Sequence, residues 1–276
     1  MLEKIKKYIP RSFKKLLRYS FLGLLDGFDF ILGKRDSVIP PKRLIFIGDG
    51  EFRKVGEEFF RHFVELGGLK KSDNVLDVGK GIGRMAIPLI NYLDPNSRYE
   101  GIDIVESGIN WCKKNITSKH PNFNFQLADI YNKAYNPKGR FKAGEYKFPF
   151  EDGSFDFVFL TSVFTHMLPK DLENYLMQIS RVLTNGGKYL ITFFLVNDES
   201  KKLIDNGLST RNLQYKLDGF YSTDKKYPEL ATGYDELYVF DLYKKCGLIV
   251  NKTLYGSWCG RKQYLSYQDI IIASKN

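Results

Sequence analysis

From Asn74 to Leu195, short apolar runs alternate with stretches in which apolar residues recur every three or four positions. The runs Asn74–Val78, Tyr99–Val105, Phe123–Ala128, Phe155–Leu160 and Lys188–Leu195 predict five strands. Between them, Arg84–Leu93 places Ile87, Leu89, Ile90 and Leu93 at helical spacing. Asp171–Leu183 does the same with Leu172, Tyr175, Leu176, Ile179 and Val182, and Asn185-Gly186-Gly187 ends it. Strands separated by helices need crossover connections, so the pattern predicts an α/β fold on a largely parallel sheet. Upstream, Glu51–Leu66 reads as an amphipathic helix stopped by Gly67-Gly68. Downstream come a helix, Asp235–Lys245, and two closing strands, Leu248–Tyr255 and Tyr267–Ala273. Residues 197–233 lack either period and read as a polar, loop-like insertion over the sheet edge.

Charge divides the chain differently. The 276 residues carry a net charge of +10, and residues 1–45 alone hold eleven Lys/Arg against four Asp/Glu. The basic character therefore belongs to an N-terminal arm, residues 1–45, rather than to the domain at 46–276. A catalytic groove for nucleic acid would more often charge the body, so a nucleic-acid partner is not expected. In the arm, basic residues (Lys4, Lys6, Lys7, Lys14, Lys15, Arg18) alternate with apolar ones (Ile5, Phe13, Leu16, Leu17, Phe21, Leu24, Leu25). Two readings stay open: a helix docked on the domain or a partner, and a basic amphipathic helix on an anionic membrane face through residues 1–35. A secretory signal does not fit, because the apolar run Phe21–Leu25 is short and Asp26 and Asp29 break its continuation. Cys112, Cys246 and Cys259 lie far apart with no CxxC, and His62, His120 and His166 are scattered. A reduced cytoplasmic protein, with or without peripheral contact to the inner membrane face and with no metal site, is the expectation.

The candidate chemistry centres on Gly79-Lys80-Gly81-Ile82-Gly83-Arg84, just after the first strand. Three glycines in a tight strand-to-helix turn let backbone approach a ligand, and the next helix offers free N–H groups. A dinucleotide fingerprint needs a small residue where Arg84 stands. Asp103 ends the second strand, twenty positions after Gly83. A carboxylate there can accept both hydroxyls of a ribose, or can cap the helix that begins near Ser107.

Together these segments resemble the class I S-adenosylmethionine (SAM) dependent methyltransferases. Asp77-Val78-Gly79-Lys80-Gly81-Ile82-Gly83 is similar to that family's first motif, and Gly101-Ile102-Asp103-Ile104 to its second-strand motif. Ala128-Asp129-Ile130, Phe148–Asp156 and Arg181–Gly187 resemble its later landmarks, in order, over about 120 residues. The resemblance implies a Rossmann-like, seven-stranded, mostly parallel sheet with helices on both faces. The last strand would be antiparallel, inserted between the fifth and sixth. It implies SAM as cofactor, with Gly79, Gly81 and Gly83 forming the turn against it and Asp77 holding the methionine end. Asp103 would take the ribose, Ile104 and Ile130 would flank the adenine, and Asp129 would accept from its amino group. Thr161 and Ser162 would complete the methionine pocket. Lys80 departs from the small residue usual in the family, and a side chain turned to solvent is the favoured reading.

For the acceptor the residues say less. His166, in Thr161-Ser162-Val163-Phe164-Thr165-His166, comes after the fourth strand and is a candidate general base for an acceptor hydroxyl. Trp258 and Arg261 offer either a stacking face and an anion clasp for the acceptor, or ordinary turn packing. Residues 161–164 do not form the Asn/Asp-Pro-Pro-aromatic motif of amino-directed enzymes. The expectation is oxygen methylation of a small molecule, a glycan or a lipid-linked intermediate. The alternatives are an RNA methyltransferase, a non-catalytic assembly subunit on the same fold, and an NAD(P)-dependent oxidoreductase.

Overall fold

A computed structural model describes residues 20–28, 31–32, 38–46, 50–133 and 135–276. Most of the basic arm, including residues 1–19, lies outside the described residues. Helix α1 (Phe52–Arg61) leads through a wider π-helical turn, His62–Leu66, into the sheet. Next along the chain are β1 (Val75–Val78), α2 (Ala86–Ile90), β2 (Tyr99–Asp103), α3 (Glu106–Cys112), β3 (Phe123–Leu127) and β4 (Phe155–Leu160). Then come α4 (Pro169–Val182), β5 (Leu183–Phe193), β6 (Leu195–Val196), α5 (Asp198–Asp205), β7 (Tyr215–Lys216), β8 (Tyr221–Ser222) and β9 (Thr232–Asp235). Helix α6 (Glu236–Lys245), β10 (Leu248–Leu254) and β11 (Asp269–Lys275) complete the chain.

The main sheet has seven strands in the order β10, β11, β5, β4, β1, β2, β3. Strands β1 to β5 pair in parallel, while β11 runs antiparallel between β5 and β10. This is the sheet the resemblance implies. Alternation along each strand splits the core between two faces. Leu76, Val78 and Ile102 meet Leu172, Leu176 and Ile179 of α4 and Val239 of α6 on one face. Val75, Tyr99, Phe125 and Phe159 meet Phe59 of α1, Leu89 of α2 and Ile109 of α3 on the other.

Three local expectations are corrected. Helix α2 is shorter than the expected Arg84–Leu93: the glycine turn runs on through Met85, the helix covers Ala86–Ile90, and turns follow from Asn91. Asn185-Gly186-Gly187 does not separate α4 from β5. The strand begins at Leu183 and carries the glycines as an irregularity, with the register to β4 passing from Phe155↔Leu183 to Phe157↔Lys188. The segment 197–233 is not a loop: it contains α5 and supplies β7, β8 and part of β9 to a second sheet of order β6, β9, β8, β7. It has a small core of its own, in which Phe194, Val196, Leu213 and Ala231 pack with Trp258 and Cys259. Those residues are too scattered in sequence to produce a period. No helix among the described residues is long and apolar enough to cross a membrane.

Candidate functional site

The carboxyl ends of β1, β2 and β4 converge on the glycine turn, at the position where open α/β sheets form a crevice. Gly79, Gly81 and Gly83 all have positive φ (79°, 61° and 84°). The turn is bound to β2: the N–H groups of Gly79 and Lys80 donate to the Ile102 carbonyl, and that of Gly81 donates to Asp103 Oδ2 at 2.7 Å. Asp103 Oδ1 accepts from the Val105 N–H at 2.8 Å. Asp103 thus staples the turn to the entrance of α3, and each oxygen retains acceptor capacity for a further donor. Burial raises its pKa, against the pull of the Lys80 charge and its backbone donors.

Beneath the turn lies a buried polar set. Asp77 is fully buried, and its Oδ2 accepts from the Tyr99 hydroxyl at 2.6 Å. Its Oδ1 has no hydrogen-bond partner among the described residues. Desolvation pushes the Asp77 pKa up to about 7, although the Tyr99 bond and the Lys80 charge act in the opposite direction. Lys80 corrects the expectation of a solvent-facing side chain: it is only 3% exposed. Its Nζ donates to Cys112 Sγ at 3.1 Å and lies 5.0 Å from the centre of the Phe125 ring. From this poorly solvated place, where charge interactions are strong, its charge acts to lower the pKa of both Asp77 and Asp103. Tyr99 and Cys112 are members of this set that motif spacing does not single out. For Tyr99 the strand period carries a signal, since it puts the residue on the same face as Asp77.

The other rim is formed after β4. Thr161 is half-buried, and Ser162 adopts φ 61°, a left-handed conformation that a side chain disfavours. The strained residue is held by its N–H, which donates to Thr192 Oγ1 on β5 at 2.7 Å, and by its hydroxyl on Gln268. Val163 closes onto the glycine turn so tightly that a Cβ on Gly79 would lie 2.3 Å from Val163 Cγ2. His166 is exposed, and its Nδ1 lies 2.9 Å from the carbonyl oxygen of Glu229 in the insertion. Crowding by surrounding protein lowers the His166 pKa, the Arg211 charge adds to this, and the carbonyls of Glu229 and Leu230 oppose it.

At the third edge, Asp129 is paired with Arg140, whose Nε–H and backbone N–H each take one carboxylate oxygen, and this pairing holds its pKa low. Ile104 packs on the core and Ile130 is buried beside it. Trp258 and Arg261 have a different character. Trp258 is wholly buried and donates Nε1–H to Asp269 at 2.7 Å. Arg261 is buried against Asp269 and Glu199 and reaches Asn197. Of the two readings of this turn, the geometry is that of packing: both polar ends are consumed on Asp269 of β11, and Arg261 also on Glu199 and Asn197. Among the described residues no cluster of His, Cys, Asp and Glu could hold a metal ion.

A family model described as a methyltransferase domain matches residues 69–233, more than half of the chain. The chain belongs to the class I SAM-dependent methyltransferases. Solved structures similar to this methyltransferase agree in fold. A protein of Pyrococcus horikoshii superposes with a TM-score of 0.59 at 18% identity, covering 84% of this chain and 95% of that one. Magnesium protoporphyrin IX methyltransferase from Synechocystis, with bound S-adenosylhomocysteine (SAH), gives 0.51 at 15%, over 83% and 90% of the two chains. The 1,6-didemethyltoxoflavin N1-methyltransferase of Burkholderia thailandensis, bound to that substrate and SAH, gives 0.51 at 15%, over 97% and 91%. At such identities the likeness concerns the fold of the methyltransferase, and its acceptor must be argued from its own residues.

Proposed function

We propose that this methyltransferase transfers the SAM methyl group to a hydroxyl oxygen of a small-molecule, glycan or lipid-linked acceptor, with His166 as general base. One observation carries the reading. The Glu229 carbonyl can only accept, so His166 Nδ1 is the nitrogen that bears the proton and Nε2 presents a lone pair. A lowered pKa keeps that ring neutral near pH 7, the form a base must have.

The residues of the turn fit the cofactor. Asp103 has acceptor capacity for a ribose diol, and Asp77 Oδ1 is a buried acceptor with no donor, suited to a cationic amino group directly or through water. Gly79, Gly81 and Gly83, all at positive φ, form the turn that would lie against the cofactor, while Thr161 and Ser162 would border its methionine end. Ile104 and Ile130 would flank the adenine, and Asp129 would serve its amino group with a carboxylate shared with Arg140. When bound, SAM supplies a methyl group activated by a sulfonium leaving group. The protein's part is to align the acceptor oxygen, exclude water and receive its proton.

The test begins with a screen for SAH release with sugars and lipid-linked intermediates as acceptors. On the acceptor found, His166→Gln should lower kcat by about 10² to 10⁴. SAH affinity by calorimetry should stay unchanged. The wild-type rate should rise with pH through a value below 6.5 and then level, and the variant should lack that step. A variant within a few-fold of wild type across the pH range would remove His166 from the chemistry.

A further inference from the structure

The helical segment at residues 20–28 presents its apolar stripe away from the protein. Phe21, Leu24, Phe28, Ile31 and Leu32 each keep 61–79% of their surface exposed. The Leu32 N–H donates to the Phe28 carbonyl, the helical i to i−4 bond, which sets Leu32 in register with the helix. At helical spacing the five share an arc of about 100°. The attachment to the body is polar and lies on a different side. Asp26 is 5% exposed and accepts from the Lys42 N–H at 2.7 Å, the Arg43 N–H at 3.2 Å and Arg43 Nη1 at 3.1 Å. The helix is therefore docked through a buried carboxylate, and its larger apolar face is left uncovered by the described residues.

The sequence immediately before this helix says what kind of partner suits it. Residues 1–19 contain seven Lys/Arg and one acidic residue, Glu3. An apolar stripe continued by a dense cationic segment matches a surface that is anionic outside and apolar within. A second copy of the chain would bring a second set of the same charges to the same face, where like charges repel. Nucleic acid would satisfy the cations and leave the five apolar side chains in water. We infer that the helix at 20–28, with Ile31 and Leu32, docks on an anionic lipid bilayer, Phe21, Leu24, Phe28, Ile31 and Leu32 entering the acyl boundary next to a sequence whose cationic charge matches the headgroups.

The docking would be coupled in space to the cofactor side. From the Asp26-held turn the chain reaches Phe46, whose ring lies 3.2 Å from where a Cβ on Gly108 would stand. That same position is 2.5 Å from the Gly81 carbonyl. A bilayer holding the helix thus holds a short strap that reaches Gly108 of α3, next to the glycine turn, which suits an acceptor presented at a membrane. The docking does not depend on the assignment of His166 or on methyl transfer.

The experiment is co-sedimentation of the full-length protein with vesicles of phosphatidylcholine alone and of phosphatidylcholine containing phosphatidylglycerol. The expected result is binding to the anionic vesicles that weakens steeply with added salt, and little to the neutral ones. The triple variant Phe21→Ser, Leu24→Ser, Phe28→Ser should bind at least about tenfold more weakly. Its melting temperature and SAH affinity should not change, since the three side chains are exposed. Equal binding by the triple variant, or no binding to anionic vesicles, would overturn the inference. A wild-type dimer in solution that the triple variant dissolves would overturn it in favour of a second copy.

Discussion

The two halves of the site, which touch at Gly79 and Val163, are built by opposite means. The cofactor half is made by neighbours on adjacent strands: turn, β2 end and α3 entrance are joined by backbone N–H groups on the Asp103 carboxylate. What it stores is electrostatic, with Asp77 and Asp103 buried within the field of the Lys80 ammonium. The rim after β4, where the acceptor is proposed to meet the methionine end of the cofactor, is assembled from far apart: His166 is oriented by a carbonyl 63 residues on, and Ser162 by Thr192 and Gln268, 30 and 106 residues on. What it stores is conformational, in the positive φ of Ser162. A shared cofactor can be held by one local design, whereas an acceptor pocket is set by whatever long-range elements are laid over the sheet.

The sharpest way to break this contrast is at Asp103. Asp103→Ala removes the proposed ribose acceptor and releases the turn, so SAM and SAH affinity should fall by about 10² to 10³ in calorimetric titration. Asp103→Asn keeps one acceptor oxygen and should fall between. If Asp103→Ala bound SAH as wild type does, the local design would be wrong at its centre.

The seam between the halves gives the next effect. Gly79→Ala forces a Cβ against Val163 Cγ2 at a position with φ 79°. It should cost roughly 3 kcal/mol by urea unfolding, from overpacking together with left-handed strain. In a Val163→Ala background the same change should cost about 1 kcal/mol less, since only the overpacking is relieved. An unaltered cost would mean that the two loops do not press on one another.

The same distinction explains what the sequence discloses. Period and glycine spacing locate the strands, Asp77, the turn and Asp103, because each depends on a neighbour within a few positions or one strand away. Lys80 is misjudged from spacing because spacing does not say which way a side chain turns, and the inward ammonium is received by Cys112 of α3 and the Phe125 ring of β3, which are remote in sequence. The insertion reads as loop because its core draws on Phe194, Leu213, Ala231 and Trp258, which no single window contains. The Trp258 and Arg261 turn looks chemical for the same reason: its partners Glu199 and Asp269 are not beside it in sequence.

The stored charge of the cofactor half should appear as a pH effect. The folded-state pKa of Asp77, about 7, lies above its ordinary 3.8, so between those values the folded protein binds a proton that the unfolded chain has lost. Stability from this group is complete below about pH 4 and falls as pH rises through 7. Asp77→Asn stays neutral and keeps an acceptor for Tyr99. Relative to wild type, the variant should therefore gain up to about 3 kcal/mol on going from about pH 5 to about pH 8. Urea titrations at the two pH values measure this, and a difference independent of pH would show that Asp77 titrates normally.

The strain stored in the rim after β4 is smaller. A left-handed non-glycine residue costs about 1 to 2 kcal/mol, and glycine removes that cost. Against this, glycine gives the unfolded chain more freedom, worth about 0.4 to 1 kcal/mol. The hydroxyl contact to Gln268 is exposed and contributes little. Ser162→Gly should therefore stabilise the protein by roughly 0.5 to 1 kcal/mol, raising Tm by a few degrees. If the strain serves to hold the rim in place, kcat should fall in this more stable protein and SAH affinity should weaken with it, since Ser162 is proposed to border the methionine end of the cofactor. A variant more stable and equally active would mean that Ser162 is strained only by the course of the chain from β4 to Thr192. A variant less stable would mean that its hydroxyl, and not its backbone, holds the rim.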